Sequence, residues 1–326
     1  MYPITVVTTV FNGEDTIKKA VDSILTQTFP LFEYIIVNDG STDKTKDILN
    51  KMEDPRIKII HIEKNQGAAI CLNHAIGKAS GNWIAVQDAD DISLPTRLKE
   101  QYHFLKQNNQ LQLIGSYITC FSLTKNSSLN RMKKQMEQLI NVNNSLFTGK
   151  FLFYGMPYCH GTFMFSRKTF HELGGYSTDF QVGYDYDLLV KFFNHSYIKK
   201  VPKILYQYRL SPHSLAYRDL YQTNLESIEI SIRGIIEHTH QDKNLIIAGT
   251  KKACTNFKEH IQPRIHRENI VYVDPFLAFQ SQWIEAEKPS TIVILDYSGS
   301  LPLINKLEEE GLILNHDYFV TWNLTN

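Results

Sequence analysis

The chain has 326 residues, enough for two domains with a core in each, and its 43% apolar and 21% charged residues describe an ordinary globular protein. Lysine plus arginine equals aspartate plus glutamate at 34 each, so no net positive field exists to hold nucleic acid. No apolar run approaches the roughly 20 residues that span a bilayer, the start lacks a charged signal-peptide region, and Cys71, Cys120, Cys159 and Cys254 match no metal or CxxC spacing; the expected location is a reducing cytoplasm, with peripheral attachment to a membrane left open.

In chain order, residues 4–10 form a continuous β-branched and apolar run suited to a strand covered on both faces. Ile17, Ala20, Val21, Ile24 and Leu25 then recur at helical spacing. Residues 32–37 read as a second strand, and Ser41-Thr42-Asp43 as the start signal of a helix through Met52. Residues 57–62 are a third strand, Ala68, Ala69, Leu72, Ile76 and Ala79 stripe the next helix, and residues 83–86 are a fourth strand. This alternation predicts parallel neighbours joined by right-handed crossovers.

From 108 to 155 the pattern weakens to one strand at 113–120 and a polar stretch containing Lys125, Arg131, Lys133 and Lys134, expected to be irregular and solvated. A strand at 162–166, a short helix stopped by Gly174-Gly175, a helix at 185–194, an extended run at 204–209 and a long helix at 215–237 follow. After a compositional break, strands at 244–249, 270–274, 291–295 and 317–322 alternate with helices at 252–261 and 302–311. The chain thus reads as residues 1–238, with halves 1–107 and 108–238, and a small Rossmann-like α/β domain at 239–326 suited to packing, homo-oligomerisation or partner docking. Gly249-Thr250-Lys251-Lys252-Ala253 keeps only the first glycine of a dinucleotide loop, which argues against dinucleotide binding there.

In open α/β sheets, ligands bind beyond the carboxyl ends of the strands. Phe11-Asn12-Gly13, Asn38-Asp39-Gly40-Ser41 and Asp88-Ala89-Asp90-Asp91 all fall at such ends and should face one crevice. Asp39 can accept hydrogen bonds from a base or ribose while Gly40 lets the loop approach closely, and the same pair would equally serve a plain capped turn. Three carboxylates in four residues disfavour joint ionisation. A hard divalent cation with a phosphate ligand relieves the repulsion, and an acidic turn capping the following helix is the competing reading.

The pieces VTTVFNGEDTIKKAVDSILTQTF, IIVNDGSTDKTKDIL and NQGAAICLNHAIGKASGNWIAVQDADD, in that order, resemble the nucleotide-sugar-binding half of the family 2 inverting glycosyltransferases. The similarity continues through HGTFMFSRKTFHELGGY to YRLSPHSL, over roughly the first 215 residues. The resemblance implies an α/β GT-A-type nucleotide-diphospho-sugar transferase, a mostly parallel central sheet flanked by helices. It further implies a UDP-sugar donor, a glycan, lipid-linked or other glycoconjugate acceptor, and hexosyl or N-acetylhexosaminyl transfer, with surface polysaccharide biosynthesis as the expected setting.

On the same basis Asp39 should hold the uracil ring with Thr9 and Phe11 nearby, Asp88 should contact the ribose side, and Asp90 should ligate Mn²⁺ or Mg²⁺ bridging the diphosphate, with Asp91 behind them orienting the loop. Arg209 and His213-Ser214 match a segment that closes over the diphosphate. Asp185 corresponds to the general base, although Tyr184 stands where the family usually has glutamate and Asn38 where it usually has an acid. Asp187, on a different helical face, reads as a capping or structural residue, and His160 as either an acceptor-pocket residue or a packed histidine. A sugar-phosphate nucleotidyltransferase would carry a glycine-rich, arginine-containing loop where this chain has Phe11-Asn12-Gly13-Glu14, and a non-catalytic sensor would not need Asp185.

Overall fold

The computed structural model describes residues 2–122, 127–142, 156–211, 219–239, 244–265, 267, 270–273, 290–295, 301–314 and 317–321. The chain divides into two compact units, one of residues 1–145 and 157–214, the other of 146–156 and 215–326.

In the first unit the βα alternation is realised as read. Strands β1 (Ile4–Val10), β2 (Phe32–Asp39), β3 (Ile57–Ile62) and β4 (Trp83–Val86) are parallel neighbours in the order β3-β2-β1-β4. Their connections carry α1 (Ile17–Leu25), α2 (Thr45–Asn50) and α3 (Ala68–Gly77). β1 is central and nearly all its residues are buried, which is why it is built of β-branched side chains with no polar alternation.

Beyond β4 the sheet becomes mixed. β5 (Ile92–Ser93) and α4 (Arg97–Gln107) lead into β6 (Leu111–Phe121), α5 (Ser127–Ile140), β7 (Met164–Ser166), α6 (Arg167–Glu172), α7 (Tyr184–His195) and β8 (Tyr197–Arg209). β7 runs antiparallel to β4 and β6, β8 is parallel to β6, and β5 closes the edge antiparallel to β8.

Two readings need correction. Part of the stretch expected to be irregular is α5, whose Leu129, Met132, Met136 and Ile140 pack on Ile118, Cys120 and Tyr206; its apolar positions are too diluted by Lys, Arg and Gln to stand out. The remainder of that stretch, 123–126 and 143–155, lies outside the described residues. The strand at 162–166 begins later, because His160–Thr162 form a 3₁₀ turn.

The second unit has a four-stranded parallel sheet of β9 (Asn244–Ala248), β10 (Ile270–Val273), β11 (Ser290–Ile294) and β12 (Tyr318–Val320), in the order β10-β9-β11-β12. The long helix α8 (Leu220–His238) belongs to this unit, so the boundary lies before it and not after it. Its buried Glu229 pairs with Arg233 one turn on at 2.6 Å and with Arg264 of the same unit at 3.1 Å.

A buried carboxylate also ties the first sheet together. Glu33 of β2, 1% exposed, accepts hydrogen bonds from the Thr5 and Ser80 hydroxyls at 2.6 Å and the Ser80 N–H, and pairs with Lys58 of β3 at 2.7 Å. Burial opposes its ionisation, but these partners win and hold its pKa at about 2, against 4.5 for an ordinary glutamate. Because the folded-state value is depressed, this stabilisation is complete above about 4.5 and lost as pH falls toward about 2. We expect Glu33→Gln to cost about 1–3 kcal/mol in urea unfolding at neutral pH. The difference from wild type should shrink between those two pH values; a constant difference would contradict the assignment.

Candidate active site

The carboxyl ends of β1, β2 and β4 lie on one sheet edge, and all three polar clusters are there. The loop after β1 is latched to the loop after β2. Asn12, with φ 53°, accepts the Thr42 N–H at 2.8 Å, and its own N–H reaches Ser41 Oγ at 2.9 Å. The Gly13 N–H bonds Thr45 Oγ1 at 2.8 Å, the Glu14 N–H donates to Asp43 Oδ2 at 3.0 Å, and the Glu14 carboxylate accepts the Lys44 N–H at 3.0 Å. Thr9 is half-buried at the end of β1, and Phe11 beyond it is 50% exposed.

Asp39 ends β2 and is 3% exposed. Its Oδ1 accepts the Gln66 N–H at 2.8 Å and its Oδ2 the Gly67 N–H at 2.9 Å, so each oxygen holds one end of the turn leading into α3. The neighbouring Cys71 thiol is pushed up to about 12 by burial and by Asp39. Gly40 has φ 68°, and a Cβ there would stand 2.6 Å from the Asn65 nitrogen, so the close approach requires glycine.

The acidic turn after β4 is where the electrostatics concentrate. Asp88 faces His160, with Oδ1 3.6 Å from Nδ1. Asp90 Oδ2 is held by Arg209 Nε at 3.2 Å and Nη2 at 3.1 Å. Asp91, 1% exposed, accepts the Arg209 backbone N–H at 2.6 Å through Oδ1, while its Oδ2 is buried without a hydrogen-bond partner among the described residues. Desolvation raises the pKa of Asp90, Asp88 adds to the rise, and Arg209 opposes it. Asp91 is pushed well above the aspartate range by burial and then by Asp90 and Asp88. Asp91 therefore ties the turn to the end of β8.

His160 sits on the 3₁₀ turn opposite, 8% exposed. Its Nε2 meets the Tyr176 hydroxyl at 2.9 Å, and its ring is edge-on to Phe163, Tyr176 and Tyr184. Burial disfavours its cation, but Asp88 more than offsets this and its pKa is raised. It is a packed histidine and also part of the charged cluster.

Asp185 lies in the first turn of α7, where the helix dipole favours a carboxylate, and accepts the Tyr186 N–H at 2.7 Å. Its pKa is nevertheless raised: burial is the largest cause, and Asp88 adds to it against the pull of His160. Tyr184 joins the aromatic wall with His160 and Tyr176. Asp187 pairs with Lys191 at 2.7 Å one turn on, a structural role. His213 and Ser214 lie outside the described residues.

The sequence reading missed the polar layer under this turn, Gln87, Ser93, Arg97 and Gln101, all buried, and Tyr206, whose hydroxyl accepts the Asp88 N–H at 3.1 Å. The available signal was Arg97 and Gln101 lying in register with Leu98 and Leu105 on the inward face of α4. A cavity of about 410 Å³ lined by Asn82, Trp83, Ser166, Arg167, Lys168 and His171 opens at the start of β4, the opposite edge from the acidic turn, and shares none of these groups.

The mostly parallel sheet, with its carboxylate turn at the carboxyl edge and a mixed half-sheet beyond β4, has the architecture of the GT-A-like fold. The comparisons agree. The family model "Glycosyl transferase family 2" matches residues 5–174, over half of the sequence, and the chain belongs to that family. EpsE of Bacillus subtilis (strain 168) is 30% identical over 199 residues, 60% of this chain and 68% of EpsE. The Escherichia coli UDP-Glc:alpha-D-GlcNAc-diphosphoundecaprenol beta-1,3-glucosyltransferase WfaP is 40% identical over 103 residues, 32% of this chain and 41% of WfaP, so the chain spans less than half of that relative. The mannosyltransferase PcManGT from Pyrobaculum calidifontis, solved with GDP-Man and Mn2+, shares the fold at a TM-score of 0.52 and 16% identity, over 94% of this chain and 80% of that one.

One glycine holds the two halves of the site in contact. A Cβ at Gly161 would overlap the Tyr206 hydroxyl and stand 2.6 Å from Asp88 Oδ2. Gly161→Ala should therefore destabilise by about 1–3 kcal/mol. Gly77→Ala, at a helical position with nothing within 4 Å, should be neutral or stabilising by about 0.5 kcal/mol. Thermal unfolding of the two variants beside wild type tests the contrast, and equal effects would refute it.

Proposed function

We propose that the protein is a metal-dependent inverting glycosyltransferase that moves a hexosyl or N-acetylhexosaminyl group from a UDP-sugar to a hydroxyl of a glycan or lipid-linked glycoconjugate, in polysaccharide or glycoconjugate biosynthesis. One observation carries the reading: Asp88, Asp90, Arg209, His160 and Asp185 act on one another at a single sheet edge. WfaP, which uses UDP-Glc and a diphosphoundecaprenol-linked acceptor, supports the donor and acceptor classes.

In this reading Asp39, Thr9 and Phe11 hold the base and Asp88 the ribose side. Arg209, which meets Asp90 with two N–H groups, is suited to bind the diphosphate, and His213 is assigned beside it. The residues fit a divalent ion. They are hard oxygen donors, two of them with raised pKa, the donor type that Mg²⁺ or Mn²⁺ takes together with substrate phosphates. Asp90 would hold it, and the ion would supply Lewis-acid stabilisation of the departing diphosphate. Asp185 accepts the acceptor hydroxyl proton as that oxygen bonds the anomeric carbon and the carbon–phosphate-oxygen bond breaks. Its raised pKa makes it a stronger base than an exposed aspartate.

Incubation with UDP-sugars, Mn²⁺ and a glycan acceptor mixture should release UDP only when acceptor is present. Asp185→Asn should lose at least about 100-fold of that rate while retaining UDP binding. Asp90→Ala should abolish the Mn²⁺ dependence of UDP affinity in calorimetry. UDP binding without acceptor-dependent release would instead favour a sensor.

The transfer rate should rise with pH through the titration of Asp185, its acid limb above the ordinary aspartate range. His160→Asn, which removes the cation favouring ionised Asp185, should move that limb further up. A pH–rate profile unchanged by the substitution would remove His160 from this role.

A further inference from the structure

Arg97 is completely buried, yet among the described residues no carboxylate pairs with it directly. Its five N–H groups are matched by neutral acceptors. Nε donates to Gln101 Oε1 at 3.0 Å, Nη1 to Ser93 Oγ at 2.9 Å and Gln87 Oε1 at 3.3 Å, and Nη2 to the carbonyls of Val86 at 2.7 Å and Phe163 at 3.5 Å. The ring of Tyr206 lies under the guanidinium at 5.0 Å.

The two glutamines carry these contacts in opposite directions. Gln87 Nε2 donates to the carbonyls of Asp88 at 2.9 Å and Asp91 at 3.0 Å, spanning the acidic turn from beneath. Gln101 Nε2 donates to the carbonyl of Thr162 at 2.7 Å, anchoring the 3₁₀ turn that bears His160. Each amide has its oxygen toward Arg97 and its nitrogen toward one turn, so the guanidinium is the shared centre of two clamps.

We propose that Gln87, Arg97 and Gln101 are positioning residues, a buried relay in which Gln87 shapes the donor-binding acidic turn and Gln101 sets the His160 turn against it. The inference rests on the assignment of Asp88–Asp91 to the donor side. Neither glutamine touches substrate in this arrangement; each acts through the carbonyls it holds. A buried cation with only neutral hydrogen-bond partners is costly where an apolar side chain could pack. Here it also places a positive charge within electrostatic reach of Asp88.

The test uses the full chain and two near-isosteric variants, Gln87→Met and Gln101→Met, with UDP plus Mn²⁺ as the binding probe and acceptor-dependent UDP release as the rate. Gln87→Met should weaken Mn²⁺-dependent UDP binding at least tenfold. Gln101→Met should leave that affinity within about twofold and lower kcat at least tenfold. A merely structural role would lower the melting temperature of both without separating the two readouts. If Gln101→Met does not fold, Gln101→Glu reads the same link, since it keeps an acceptor for Arg97 but replaces the N–H that reaches Thr162 with a carboxylate oxygen that repels that carbonyl, with a negative charge added beside Arg97. Folded variants that change both readouts together, or neither, overturn the relay. A wild-type protein that neither binds nor releases UDP overturns the glycosyltransferase reading itself, so the two failures are distinguishable.

Discussion

Three carboxylates within four residues emerge from a strand whose side chains are almost all buried, and each is balanced differently. Asp88 faces His160, Asp90 takes two N–H groups of the Arg209 side chain, and Asp91 takes the Arg209 backbone N–H. Below them Arg97 contributes a charge that cannot titrate away. The pKa values of Asp90 and Asp91 remain raised, so negative charge at this turn is incompletely compensated by the protein.

The mixed half of the sheet brings these partners to the turn. A purely parallel sheet would continue from β4 through another crossover; here antiparallel β7 brings the His160 turn against Asp88, and β8 returns Arg209 to Asp90. Tyr206 on β8 takes the Asp88 N–H, and Gly161 leaves room for both the hydroxyl and the carboxylate. Packing on this side is thus set by hydrogen-bond geometry as much as by apolar volume.

The parallel half was legible because its signals are local. Continuous β-branched runs, helical stripes and polar clusters at strand ends can each be read within about ten residues, and β1 to β4 lie within a residue or two of where they were expected. Three features were hidden because they depend on distant partners. α5 is helical in a composition that looks unstructured, since its few apolar residues find Ile118, Cys120 and Tyr206. α8 is tied within the second unit by the ion pair of Glu229 with Arg264, a pairing with no trace in the intervening sequence. Gln87, Arg97 and Gln101 look like surface residues by type, and only the tertiary fold places them under the acidic turn.

Asn38, the departure from the usual acid, has a local explanation that leaves the crevice untouched. Its side-chain nitrogen meets His61 Nδ1 at 3.1 Å, and the other ring nitrogen of His61 meets Asn50 Oδ1 at 2.9 Å. Asn50 Oδ1 can only accept, so Nε2 carries the proton and Nδ1 accepts from Asn38. That is a neutral imidazole, and burial together with Lys46 lowers the His61 pKa to match. An aspartate at 38 would face a lone pair unless His61 were protonated, which this environment disfavours. Asparagine is thus the residue that suits a neutral His61, and its remaining oxygen accepts the Ser41 N–H at 3.2 Å, shaping the loop beside Asp39. The exchange is a compensation between β2 and β3, one step removed from the groups assigned to the nucleotide.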